Sequence, residues 1–527
     1  MVNDLQGVLM QRKFRILDRL VNPGHELPNE YYKSMPKDAL DDLFPDSMFK
    51  TPPRMNQKVA FAWALDGRDR CNLWFDVGTG KTLTAMYLAQ LWNCRRLFVV
   101  CPNSVVMSWY HEIKEHMYTD LNVWDEDGIR PAWLTAILAH KSTPDRHMLF
   151  NAYLDEKGSF AHHPQIHVIN YEGLVPFFGA RKRSNKWAKS LLYDAYPALH
   201  KLGFDCLVID EMHHAKSPDA MQTRILMDIS RGMDHVIGLT GTPIDKNPID
   251  IWSQQMIIDG GKALGANFVR HRNEMFQKCG FNWLPKSDTV TKIVEKIQPT
   301  VLHYSTEECV DLPDIVYQPR YLVYSDIQKT MINQIRSGNT AAPMTTTESW
   351  YAEARVCGGI DPYNDDMWLP ETANPKIAAL LDVLDSGINR FIVYHFFVEE
   401  GRLLEHILDK HGVSYVSARG ETDSVRALEE YKNDTSIRIL LANPASAGEG
   451  FNIQKTVHAI CYYSRNWSSL SRKQTVGRIV RSGQTEKCLI TDLILSGISD
   501  EDAYNCVLAG QEVTVKLMKS FTKNLIA

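Results

Sequence analysis

The run Phe75-Asp76-Val77-Gly78-Thr79-Gly80-Lys81-Thr82 constrains this chain more than any other stretch. Glycines at 78 and 80 allow positive φ, which turns backbone N–H groups onto phosphate oxygens. Lys81 neutralises β/γ charge, and the Thr82 hydroxyl can ligate Mg²⁺. The following residues, Leu83 to Trp92, are apolar nearly all round, as in a buried helix whose positive N-terminal end faces the phosphates. The full Gly-x4-Gly-Lys-Thr spacing would put glycine at 75, where Phe75 stands, so the pattern fits a shortened loop. Taken alone, it also fits an ordinary strand-to-helix turn.

With 527 residues and 44% hydrophobic content, the chain is expected to form two or more globular domains. No apolar segment follows Met1, and no apolar run reaches the roughly 18 residues of a membrane span, so no membrane association or export is expected. The ten cysteines are scattered without a Cys-x-x-Cys pair, which points away from a disulfide framework or zinc site. A reducing, cytoplasmic compartment follows from both observations. The net charge of −5 leaves any nucleic-acid contact to local basic patches.

Taken in order, residues 1–50 read as an N-terminal extension with some helix, and a proline turn at 51–53 leads into a helical pattern over Lys58 to Leu65. Gln57, at its start, has an amide able to donate to and accept from an adenine edge; a solvated helix-start glutamine is the competing reading. Leu97 to Cys101 and His167 to Tyr171 read as strands, with a helix over Val105 to Ile113. Arg181 to Lys189 sets five cations around Trp187, a candidate backbone contact or a solvated loop. Cys206 to Ile209 is a buried strand that delivers Asp210 and Glu211 to its C-terminal end, where open parallel sheets bind ligands. Asp210 suits Mg²⁺, and Glu211 suits orienting or deprotonating an attacking water. The strand His235 to Leu239 ends in the polar turn Thr240-Gly241-Thr242-Pro243.

From about 259 to 375 the sheet pattern weakens, and this stretch, with Arg270-His271-Arg272, reads as a linker with helical insertions. A second α/β series follows: strands over Arg390 to Tyr394, Ser414 to Val416, Ile437 to Ala442 and His458 to Tyr463, and a helix over Gly401 to Leu408. It has no second Gly-Lys-Thr. Arg478 and Arg481 stand three apart, so on a helix they share a face and suit a γ-phosphate; surface salt bridges are the alternative.

The ordered set resembles the superfamily-two helicases and, within them, the Swi/Snf-type ATP-dependent DNA translocases, collinearly from 52 to 492. Gln57 falls on the adenine-reading glutamine. Asp76 to Thr82 is similar to motif I, in which the first glycine is normally replaced, and Asp210 to Lys216 to motif II. Leu239 to Ile244 with Asn247 is similar to motif III, Ala447 to Asn452 to motif V, and Gln474 to Arg481 with Gly483-Gln484 to motif VI. Leu312-Pro313 and Tyr324 to Gln328 resemble a segment particular to the Swi/Snf branch. Ser468-Ser469 after Trp467, where the family has Asn-Pro, and the acidic Glu449 depart from the pattern.

The resemblance implies two tandem RecA-like α/β lobes with parallel sheets, lobe 1 over 51–258 and lobe 2 over 376–510, joined by the 259–375 linker and followed by a 511–527 tail. It implies an ATP site built from Gln57, Asp76, Val77, Gly78, Thr79, Gly80, Lys81, Thr82 and Gly450. Mg²⁺ would rest on Thr82 and Asp210, and catalysis on Lys81, Asp210, Glu211, Arg478 and Arg481. The expected product is a bare monomeric motor, similar to bacterial or phage members, that moves on double-stranded DNA. A strand-separating helicase on DNA or RNA and an ATP-switched scaffold with little turnover remain open at this level.

Overall fold

The computed structural model describes residues 27–119, 132–154, 163–178, 182–183, 186–187, 199, 202–244, 247–280, 282–309, 313–338, 344–364, 367–418, 420–444, 453–481 and 483–510. The chain divides into two compact units at Cys309/Val310.

The first unit opens with helices α1 (Asn29–Lys33), α2 (Lys37–Leu43) and α3 (Met55–Leu65), followed by strand β1 (Arg70–Phe75), helix α4 (Lys81–Leu91), β2 (Arg96–Cys101) and α5 (Val106–His116). Strands β3 (Leu134–Ile137), β4 (Gln165–Asn170), β5 (Cys206–Ile209) and β6 (His235–Leu239) follow. Then come α6 (Phe268–Met275), a hairpin of β7 (Phe276–Cys279) and β8 (Asn282–Pro285), α7 (Thr289–Ile297) and β9 (Val301–Tyr304). Seven strands form one sheet in the order β9-β1-β6-β5-β2-β4-β3. Every neighbour pair in it is parallel.

These strands are continuous apolar runs because both faces are covered. Leu97, Val99, Cys101, Cys206 and Val208 pack into a core with residues of α3, α4 and α5, while Phe98, Val100, Leu207 and Ile209 alternate into a core on the other face. Since β6 lies between β1 and β5, the loops after these three strands emerge side by side at the sheet's C-terminal edge.

Residues 27–50, expected as an extension, belong to this core. Tyr32, Leu40, Phe44 and Phe49 are buried in the cluster that holds α3. Asn29 donates to the Val301 carbonyl at 2.8 Å and accepts from the Trp63 indole at 2.8 Å. The buried ammonium of Lys58 bridges Asp41 and Asp46 at 2.6 and 2.8 Å. No local periodicity announces these contacts, because each partner is remote in sequence.

The second unit holds β10 (Ile315–Leu322), α8 (Asp326–Arg336), α9 (Thr346–Gly358), β11 (Phe391–Tyr394), α10 (Val398–Lys410), β12 (Tyr415–Ala418), β13 (Ile439–Ala442), β14 (Ala459–Tyr462), α11 (Ser469–Val476) and β15 (Cys488–Leu495). Its six strands run in the order β10-β15-β14-β11-β13-β12, all parallel, between two further cores. The 259–375 stretch, expected as a linker, thus supplies β9 to the first sheet and β10 to the second. Strand β9 is only four residues long, and β10 is an edge strand with most residues exposed, so neither shows a core pattern. Ser325 caps α8 in a reciprocal box with Gln328, whose amide also reaches the Val356 carbonyl at 3.0 Å. Among the described residues no helix is long and apolar enough to cross a membrane.

Candidate functional site

The phosphate loop takes the shape its residues dictate. Gly78 and Gly80 have φ of +82° and +88°, and a Cβ on Gly80 would lie 2.7 Å from Gln57 Nε2. Two independent constraints therefore fix glycine at 80. Three side chains from the entrance to α3 hold the loop from outside. Arg54 donates to the Gly78 carbonyl at 3.0 Å, Asn56 to Thr79 at 2.9 Å and Gln57 to Gly80 at 3.2 Å. Gln57 Oε1 accepts from the Arg54 N–H at 2.7 Å, so this buried amide is turned onto the loop and its own helix start in the structure. The expected reach toward an adenine edge would require exchanging these bonds. Thr79 closes the turn by donating its hydroxyl to Asp76 O at 2.7 Å.

The end of the first unit also joins this loop. Asp76 N–H donates to the Tyr304 carbonyl at 3.0 Å, Thr306 N–H to Asp76 Oδ2 at 3.3 Å, and the Thr306 hydroxyl to the Val77 carbonyl at 3.3 Å. Lys81 and Thr82 open α4 in its first turn and are half-buried.

Two strands away, β5 ends at Ile209 and Asp210 is buried. Its Oδ2 accepts from the Trp109 indole at 2.8 Å and its Oδ1 from the Glu211 N–H at 2.9 Å. Burial, then the Glu211 charge, pushes the Asp210 carboxyl up to about 6, while the charge of Lys81 opposes the rise. Lys81 is therefore within electrostatic reach of this carboxylate. Glu211 has φ of +46°, the left-handed region that non-glycine residues enter at a cost of roughly 1–2 kcal/mol. The Tyr171 hydroxyl lies 2.9 and 3.3 Å from the Asp210 and Glu211 carbonyls and anchors this backbone. His213 Nδ1 lies 3.3 Å from Glu211 Oε2 and 3.2 Å from the Thr240 hydroxyl, which also accepts from the Thr242 N–H at 3.1 Å. The loops after β5 and β6 are thereby connected.

A divalent cation fits this donor set. Asp210 is a buried carboxylate raised toward neutrality, which an added positive charge would hold ionised, and Mg²⁺ characteristically takes one or two carboxylates with phosphates and water.

In the second unit the two arginines do not share a helix face. Helix α11 ends at Val476, and the Arg478 N–H bonds to Thr475 O at 3.2 Å as the chain tightens into turns, so both arginines follow the helix. Arg478 is buried, and its charge counteracts the rise that burial imposes on the Tyr394 hydroxyl at the end of β11. Arg481 is half-buried in the turn beyond. The departure at Ser468 is structural: its side chain caps α11 by accepting from the Ser471 N–H at 3.2 Å. Gly450 and the rest of 445–452 lie outside the described residues, as do most of Arg181 to Lys189. Within that latter stretch only the short ladder of Lys182–Arg183 with Lys186–Trp187 is described.

Residues 56–349 match the SNF2-related domain, and residues 375–483 match the helicase conserved C-terminal domain. The chain belongs to the SNF2-related family. It is a nucleic-acid-stimulated ATPase of helicase superfamily two, built as two tandem RecA-like lobes, and ATP is its nucleotide. The p41 protein of Acyrthosiphon pisum secondary endosymbiont phage 1 is 22% identical over 506 residues, covering 89% of this chain and 98% of that protein. The human DNA annealing helicase and endonuclease ZRANB3 is 21% identical over 498 residues, and the Zorya protein ZorD of Escherichia coli O139:H28 is 21% identical over 464. These matches cover 88% and 79% of this chain but 40% and 39% of those proteins, so the chain spans about two fifths of their length. The Sulfolobus solfataricus SWI2/SNF2 ATPase core in complex with dsDNA aligns over 90% of this chain and 97% of its own at 18% identity, with a TM-score of 0.39; family membership rests on the domain match.

Trp109, Tyr171, Asn56 and Thr306 were not legible as site residues. Each acts through one or two contacts to an element remote in sequence. The clue nearest to a signal is Asn56, directly beside Gln57.

Proposed function

We propose that this SNF2-family ATPase is a DNA translocase whose hydrolytic site is composite. Lys81, Thr82, Asp210 and Glu211 come from the first lobe, Arg478 and Arg481 from the second. The observation that carries the reading is Lys81 within electrostatic reach of buried Asp210, which half-buried Glu211 follows, at the C-terminal edge of one parallel sheet. Gly78, Gly80 and the start of α4 cradle the phosphates, with Asp76, Val77 and Thr79 shaping the turn, and Lys81 balances their charge. Thr82 and Asp210 would hold Mg²⁺, which supplies charge neutralisation at the β/γ-phosphates. Glu211, poised by His213 and the strained backbone, orients the attacking water and takes its proton. The arginines neutralise charge that develops during phosphoryl transfer, and Gly450 lies beside the nucleotide. Gln57 exchanges its hold on Gly80 for the adenine edge when nucleotide arrives.

The track is double-stranded DNA and the working unit a monomer, with lobes near 51–258 and 376–510. The printed names of relatives such as the DNA annealing helicase and endonuclease ZRANB3 support DNA. The test is ATP turnover with duplex DNA, single-stranded DNA or RNA at fixed salt, beside a triplex-displacement assay for movement. Stimulation by duplex with displacement is expected. Stimulation by RNA alone, or turnover without displacement, would overturn the translocase reading.

A further inference from the structure

The chain carries net charge −5, yet between residues 262 and 296 seven Lys or Arg stand against three Asp or Glu. This segment holds α6, the β7–β8 hairpin and α7, folded on a buried cluster that includes Trp252, Phe276, Ile293 and Val301. Two of its three acids are already paired: Glu274 with Arg270 at 2.8 Å and Asp288 with Lys292 at 2.5 Å. Lys278 and Lys296 are exposed, and their side chains make no hydrogen bond or ion pair among the described residues.

The hairpin register sets Lys278 directly opposite Trp283, so both side chains project from the same face. The Arg272 guanidinium lies 4.2 Å from the centre of the Trp283 ring, and its buried Nε has no hydrogen-bond partner. Trp283 is half-buried against the buried cluster, with the Arg272 guanidinium over its ring and exposed Lys278 opposite it in the ladder. Leu284, the exposed aliphatic residue of the hairpin, pairs with Gln277 on the opposite face. The segment therefore presents exposed lysines, a residue type that protein interfaces deplete. It is also fixed to the ATP-bearing edge: Asn247, just beyond the Thr240–Pro243 turn, donates to the Trp283 carbonyl at 2.6 Å.

We infer that the exposed lysines of this segment, Lys278 on the hairpin and Lys296 on α7, with Arg272 beside Trp283, bind the phosphate backbone of duplex DNA as a contact additional to the motor's track. The inference rests on the DNA reading above. Charge complementarity selects the partner, since backbone phosphates reward dispersed cations and need no shaped pocket.

The experiment measures binding of a fluorescent duplex to the full chain across a salt series, for wild type, Lys278→Glu, Lys296→Glu, the double variant and Lys278→Arg. Each lost phosphate contact lowers the slope of log affinity against log salt by about 0.9. We expect that decrease for each single charge reversal, about 1.8 for the double, and a wild-type slope for Lys278→Arg, with DNA-free ATP hydrolysis unchanged throughout. Unchanged slopes in both single variants, with wild type binding the duplex, would overturn the hairpin contact and leave the DNA reading standing. No duplex binding by wild type would overturn both. Unchanged duplex binding with lost polyglutamate binding would reassign the face to an acidic protein.

Discussion

Beside the charged Arg54, the first lobe holds its ligand-facing edge largely by neutral side chains donating to backbone carbonyls: Asn56 to Thr79, Gln57 to Gly80, and Tyr171 to Asp210 and Glu211. The second lobe rests the corresponding edge on buried ion pairs. Arg472 meets Asp492 through two bonds of 2.6 Å, and Lys376 meets Asp500 at 2.8 Å while donating to the Tyr463 carbonyl just past β14. A neutral bond nets about 1 kcal/mol and exchanges readily for a ligand, whereas breaking a buried pair strands a charge. The difference suggests that one edge adapts to its nucleotide and the other stays rigid while it presents its arginines.

The comparison breaks outright if the second lobe contributes nothing to hydrolysis. Arg481→Ala should lower DNA-stimulated turnover by about 10³-fold or more while leaving ATP binding largely intact, the range seen for arginines that stabilise phosphoryl transfer. Equal turnover in the variant and wild type would remove the second lobe from the site. In the first lobe, Glu211→Gln should cost about 10²–10⁴-fold in kcat with little change in nucleotide affinity, and Lys81→Ala should abolish turnover.

Rigidity of the second edge is tested by stability. Asp492→Asn leaves Arg472 facing an amide and also weakens the approach of Arg465, 3.6 Å from the same carboxylate. A loss of about 3–5 kcal/mol is expected, read by urea unfolding of the second lobe's transition. A loss under about 1 kcal/mol would make its ion pairs no stiffer than the first lobe's bonds.

Between pH 6.5 and 5, above the range where the second lobe's paired carboxylates take up protons, the first lobe should be the more acid-sensitive one. Burial, with the Arg96 charge, pushes the His167 imidazole from its ordinary 6.5 down to about 3. The unfolded chain therefore takes up a proton there before the folded chain does. Stability is full above about pH 6.5 and falls as pH drops toward 3, by up to about 1.4 kcal/mol per unit. In His167→Gln the unfolding midpoint should depend less on pH between 6.5 and 5. The smallest effect belongs to Asn56→Ala, at about 1 kcal/mol, accompanied by a raised KM for ATP as the loop loosens.

What was legible in the sequence follows the same division. Strands β2, β5, β6 and β13 announce themselves because parallel strands covered on both faces need unbroken apolar runs. Gly78, Gly80, Lys81, Asp210 and Glu211 are legible because the chemistry they suit admits few substitutes. Helix α1, strand β9, Trp109 and Tyr171 are not, since each has its meaning in a contact more than 30 residues away. The helical spacing of Arg478 and Arg481 misled because α11 stops at Val476, and a period of 3.6 predicts a shared face only while the helix lasts.

The bonds from Asp76 and Val77 to Tyr304 and Thr306 have a mechanical meaning. The first unit ends at Cys309, three residues beyond Thr306. The end of the first unit is therefore rooted in the phosphate-binding turn itself. Displacement of that turn by arriving or departing phosphates would move residues 304–306 with it, within the first unit.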